Sequence, residues 1–226
     1  MNCVIQIRRT CFFLALSFCV WLTAGCATSE TGSRAPRRGD GLREFQRLVL
    51  DLRKDVTSTR QAVEALAAAT QKNSAAAYAR FDESLQRLEV VSIKARARVE
   101  AMEKRGDAYF EEWTEEISGA TDDESRRAAK GRFAELHRHF EVILKDTAQV
   151  RQAFRPFLEE SRRLRTTLGP EPRFEAIEQA RPMCAQIVSE GQQSGAAMDE
   201  LLKTLKVAEA AVMAGPAPLP KPRGKS

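Results

Sequence analysis

Histidine is nearly absent from this chain of 226 residues: His137 and His139 are the only two. Two apart on a helix, they point to different faces, unlike the i, i+4 pair that a helical metal site uses. They flank the apolar stripe on either side. Glu141, four after His137, and Glu135, four before His139, offer each a surface partner. The chain also lacks zinc-ligand spacings, a Ser-His-Asp arrangement and a glycine-rich phosphate loop. A hydrolase would need paired acids or an activated nucleophile in a cleft, and no such pattern is present. No catalytic residue, cofactor or metal is therefore expected. No apolar run is long enough to span a bilayer; the longest is about 12 residues, where roughly 20 are needed. A concentrated basic face, which nucleic-acid binding requires, is missing too. The formal net charge is +5, with acids and bases interspersed as on a solvated helical surface. No strand pattern competes with the helical one.

The N-terminus carries a recognisable signal. Arg8 and Arg9 form a positive segment, and residues 11–22 an apolar one (Phe12, Phe13, Leu14, Leu16, Phe18, Val20, Trp21). Thr23-Ala24-Gly25 then supplies small residues before Cys26. The arrangement resembles a bacterial lipoprotein signal, cleaved after Gly25, with the Cys26 thiol acylated as the new N-terminus. Leu22 stands one place earlier than the preferred leucine, and Thr23 occupies that place. An ordinary secretory signal cleaved after Ala24 or Gly25 is the alternative.

On the lipoprotein reading, Cys3, Cys11 and Cys19 leave with the signal and Cys26 carries lipid. Cys184 then stands alone, so the mature chain has no intramolecular disulfide. Its apolar helical position predicts a buried, inert thiol. Removing Arg8 and Arg9, the only charges of residues 1–25, takes the formal charge from +5 to +3. Two or more acyl chains anchor a protein stably. The resemblance, with Ala27 after the cysteine, implies an outer-membrane lipoprotein facing the periplasm. Its expected partners are the lipid bilayer, through acylated Cys26, and another envelope protein.

Residues 26–41 read as a flexible tether and residues 214–226 as a Pro-rich basic tail. Between them, residues 42–213 repeat apolar side chains in alternating steps of three and four. The first stretch reads Leu42, Phe45, Val49, Leu52, Val56, Thr59, Val63, Leu66; a second runs from Tyr78 to Trp113. A third runs from Phe133 to Leu168, and a fourth through Ile177, Arg181, Cys184, Val188, Gly191, Gly195 and Met198. This period predicts an all-α fold, an elongated antiparallel coiled-coil bundle of three to four long helices. Asn73-Ser74 is a modest break, so separate or continuous first and second helices are both open. Thr121 with Glu124 predicts a capping box, and Gly169-Pro170 a firm stop. Pro156 and Pro182 fall off the apolar stripe and are expected to kink their helices without ending them.

One segment is distinctive: Tyr78, then Phe110, Glu112, Trp113 and Glu116 within Tyr-Phe-Glu-Glu-Trp-Thr-Glu-Glu. Ser125-Arg126-Arg127 and Phe154-Arg155-Pro156-Phe157-Leu158 follow. Together they resemble the bacterial coiled-coil proteins catalogued as domain of unknown function 2959. The resemblance implies a helical fold and brings no catalytic residues. The chain departs from the family pattern at residues 163–169, Arg-Leu-Arg-Thr-Thr-Leu-Gly.

Two places invite a functional reading. If the first two helices form a hairpin about residue 72, Leu42 lies level with Met102. Residues 103–118 then project past the first helix by about 24 Å. Tyr109, Phe110, Trp113, Phe133 and Leu136, with Glu112 beside them, would border a groove lacking its fourth wall, a candidate partner site. The alternatives are core packing by Tyr109 and Trp113 with a solvated acidic face, or filling of the groove by the tether. At mid-bundle, Ser92, Ala95, Thr147, Ala148, Gly191 and Gly195 fall at one height. They read either as a close-packed waist or as a small polar cavity.

Overall fold

The computed structural model describes residues 39–214. The signal with Gly25 and Cys26, nearly all of the tether and the tail past Ala214 lie outside the described residues. Within them the chain is all helical: α1 Asp40–Ala67, α2 Ser74–Gly119, α3 Asp123–Leu168, α4 Phe174–Gln179 and α5 Arg181–Ala214. The first two helices are separate. Asn73 closes the turn between them, its side chain accepting from the Thr70 backbone N–H at 2.7 Å.

The heptad-like stripe is the reason these helices associate. On α1 the buried positions are Phe45, Val49, Leu52, Val56, Thr59, Val63 and Leu66. Their spacing keeps one seam facing the neighbours. Each fully buried aliphatic or aromatic side chain contributes about 1.5–3 kcal/mol. The α5 helix lies between α1 and α3 and packs most extensively on both; α2 packs on α1 and, less extensively, on α3. Polar cross-links fix an antiparallel register. Arg53 reaches Asp199 through two bonds, one of 2.8 Å, Thr59 Oγ1 donates to the Ser84 carbonyl, and Ser194 Oγ donates to the Ala153 carbonyl. Glu89 of α2 accepts from Arg162 at 2.7 Å and from Arg165 of α3.

Three local expectations need correction. The cap of α3 is Asp122, not Thr121: its carboxylate accepts from the Ser125 backbone N–H at 2.7 Å. A short acidic side chain takes the orphan N–H groups and favours the positive helix end, so the helix starts one residue later. Pro156 sits on an exposed face inside an unbroken α3, where its missing bond faces water. Pro182 instead lies in the first turn of α5, and the chain breaks at Ala180 after a six-residue α4. Its ring opposes the carbonyl four residues back, so the helix restarts there, where proline is tolerated. The stripe on α4 and α5 is also turned. Ala180, Ile187 and Ser194 are buried where Arg181, Val188 and Gly195 were expected. Arg181 pairs with Glu178 at the surface, and a helix serving two neighbours needs a wider buried face than a single seam.

The α3 helix ends at Gly169, with φ +70°, a left-handed conformation that suits glycine. Two hydroxyls in the core, Thr147 Oγ1 and Ser161 Oγ, are buried without a partner. An orphaned buried hydroxyl costs about 1–3 kcal/mol, so Ser161→Ala is expected to leave the melting temperature unchanged or raise it. A clear fall would show that the hydroxyl is bonded. Burial pushes the Glu89 carboxyl up, but hydrogen bonds from Arg162 and Arg165 and their charges outweigh it, so Glu89 titrates below the usual range. A lowered carboxylate pKa gives stability that is present above its unfolded value and is lost as pH falls through the folded one. Glu89→Gln should therefore flatten the loss of stability below about pH 4. Parallel acid limbs for variant and parent would contradict it.

Candidate functional site

The main core and the aromatic tip are two separate clusters. One runs along the bundle from Phe45 to Ala208; the other holds Phe110, Trp113, Ile117 and Ala129, with Phe133, Leu136 and Phe140 packed on it. Between Leu88 and Phe110 no residue of α2 is buried, and between Ala129 and Ile143 none of α3 is. The α2 stretch covers about 33 Å at 1.5 Å per residue. Its inward side chains, Val91, Ala95, Val99 and Met102, are only half-buried against the main core.

Sequence explains the gap. Ala95 on α2 adds little side-chain bulk there, and at Gly106 the space is taken by the Phe140 ring of α3. Arg98 pairs with Glu44, and Thr59 bonds at Ser84, so Asp40 lies level with Met102. The tip of the α2–α3 hairpin therefore projects beyond α1, as the hairpin geometry predicts.

A groove of about 730 Å³ opens here. Its α2 wall is Arg98, Met102, Arg105, Gly106, Tyr109, Phe110 and Trp113; its α3 wall includes Ala129, Arg132, Leu136, His139, Phe140 and Ile143. The fourth side is partly built, not missing: Gly39, Gly41, Leu42 and Phe45 of the α1 end and Ala208 and Val212 of α5 close it. Arg132 ties α3 to the end of α5, donating to the Ala211 carbonyl at 2.6 Å.

Of the expected groove residues, Tyr109, Phe110 and Trp113 line it together. Tyr109 is 44% exposed, whereas Phe110 and Trp113 are buried. Phe133 lies behind the lining, edge-on to Phe110 at 5.5 Å and to Trp113 at 5.6 Å. Glu112 is exposed and not part of the wall. The tip is thus both a small core and a groove wall, and each aromatic pair adds about 0.5–1.5 kcal/mol beyond its burial. Trp113 Nε1 is buried with no acceptor.

The histidines take different roles from those the spacing implied. His137 keeps its expected partner, with Nδ1 3.5 Å from Glu141. It also stacks on Phe133, four residues before it on α3, and meets Phe110 of α2 edge-on at 4.8 Å, a contact hidden from a count along one helix. His139 lines the groove. Its expected partner Glu135 instead pairs with Arg132 at 2.8 Å, because guanidinium is always charged and imidazole is not. Among the described residues, no group of three or more His, Cys, Asp or Glu side chains is placed to hold a metal ion.

The mid-bundle level of small residues is close-packed in part. A Cβ on Gly191 would press on Phe157 and Arg60 at 3.0–3.3 Å, while one on Gly195 would meet open space. The larger void lies nearer the α1 start than the level Ser92–Gly195 suggested. Cys184 is fully buried, and burial pushes its thiol up to about 11, which makes it a poor nucleophile near neutral pH.

Gly106 controls the size of the groove. A Cβ there would collide with the Phe140 ring. That ring has groove space to swing into, so Gly106→Ala should fill the groove without unfolding the bundle. The gain in helix propensity, about 0.5–1 kcal/mol, partly offsets an overpacking cost of about 1–3 kcal/mol. Nile red binding is expected to fall while the far-ultraviolet dichroism spectrum is kept. Undiminished dye binding would contradict this placement of Phe140.

Neither a curated protein nor a solved structure matches the chain. A family model does match, over residues 43–166, which include the α2 and α3 walls of the groove and Phe45 of the α1 end. It is the family that Phe110, Trp113 and their neighbours resemble. The chain belongs to the family described as Protein of unknown function (DUF2959).

Proposed function

We propose that this chain is a non-enzymatic, lipid-anchored protein of the bacterial envelope whose helical bundle is a ligand-binding scaffold. The observation that carries the reading is the groove itself. Its volume of about 730 Å³ falls within the range of roughly 300–1,000 Å³ used by small-molecule sites. Its lining is chiefly apolar with a few polar groups, the usual make-up of such sites. Binding, and not catalysis, fits a wall without a carboxylate. The groove also opens beside Gly39 and Gly41, where the chain arrives from Cys26.

A second reading makes the protein an adaptor for another envelope protein. It is favoured by Tyr109, a large aromatic side chain exposed at the groove edge. The concave volume behind Tyr109 suits a small ligand better than a flat protein surface.

The anchor rests on the sequence around Cys26 and on a companion fact: no helix among the described residues is long and apolar enough to cross a membrane. Cys26→Ala should move the protein from the membrane to the soluble fraction on cell lysis. A variant that stays membrane-bound would overturn the anchor and leave the groove untouched.

A further inference from the structure

We propose that the groove binds a free single-chain anionic amphiphile, a long-chain carboxylate, with its tail along the aromatic wall and its head at Arg105. The proposal rests on the ligand-binding reading above and names the ligand class. Two independent observations support it.

The first is shape. Along α2 the groove runs from Arg98 to Trp113, about 22 Å at 1.5 Å per residue. Leu42, Phe45, Met102, Leu136 and Phe140 supply a continuous apolar wall. An apolar lining of this length suits a hydrocarbon chain.

The second is charge. The groove lining holds no carboxylate, and its basic side chains are Arg98, Arg105, Arg132 and His139. Arg98 is engaged by Glu44, and Arg132 by Glu135 and the Ala211 carbonyl. Arg105 differs. Its Nε donates to the Ala101 carbonyl of its own helix at 3.0 Å. Its terminal nitrogens remain for a ligand, and a carboxylate matches guanidinium by paired charge-assisted bonds.

The acyl groups of Cys26 are a poorer match. They are joined through neutral thioether, ester and amide links and bring no anion to Arg105. Drawing them into the groove would also loosen the membrane anchor.

The test uses the full chain carrying Trp21→Phe, which leaves Trp113 as its only indole. The protein is held in an amphipathic polymer and titrated with a dibrominated eighteen-carbon acid, its neutral methyl ester and Nile red. The acid should quench Trp113 saturably and more tightly than the ester. Arg105→Glu should weaken the acid about tenfold to a hundredfold, the loss of one charge-assisted contact, with an unchanged melting temperature. Arg105→Lys should keep part of the affinity.

Equal binding of acid and ester, with Nile red bound, would overturn the anionic ligand and leave the ligand-binding groove standing. No binding of acid or dye would overturn both. Acid binding that appears only when Cys26→Ala is added would show that the protein's own acyl chain fills the groove, against the proposal.

Discussion

The apolar seam of α5 is what the remaining structure depends on. Cys184, Ile187, Gly191, Ser194, Met198, Leu201, Leu205 and Ala208 face inward along it, and α1 and α3 close on its two sides. Dispersion and water exclusion along that seam hold three helices in register. Gly191 shows how tight the seam is, since Phe157 fills the space that a side chain would take. The ion pairs at its margin, such as Arg53 with Asp199, are half-exposed. They fix register more than they add stability.

The α2 helix stands outside that arrangement for half its length. Up to Leu88 it is held by Phe81, Leu85 and Leu88 against α1. Beyond Leu88 its inward residues Val91, Ala95, Val99 and Met102 pack on the main core only half-buried, and the next buried side chain is Phe110 at the aromatic tip. A helix secured at two points with a loosely filled middle produces a groove as a consequence of packing. Its lining combines apolar side chains at the edge of the core with Arg98, Arg105 and Arg132. Trp113 Nε1 remains without an acceptor in that wall, a local cost in a region the core does not complete.

Much of this was legible in the amino-acid sequence. The three–four repeat of α1 reproduces its buried face residue for residue from Phe45 to Leu66, because one helix packing along one seam obeys a simple period. The projection of the hairpin tip followed from counting about the turn near residue 72. What the sequence could not supply was set by neighbours. The turned stripe of α5 arises because two helices claim its surface. The cap at Asp122 arises because two adjacent residues compete for the same N–H groups. His137 joined the aromatic cluster because Phe110 comes from another helix. The groove was expected at the tip, and its position next to the α1 end became visible only once α5 and Arg132 closed the remaining side.

The most direct check is the mass of whatever the protein carries. Native mass spectrometry of the full chain, released from the membranes of cells that make it, reads the occupant without a choice of probe. The predicted result is one added mass matching a single-chain carboxylic acid, sharply reduced in Arg105→Glu. A protein that carries no adduct, or carries neutral lipids equally in parent and variant, would contradict the claim that this groove is a site for an anionic amphiphile.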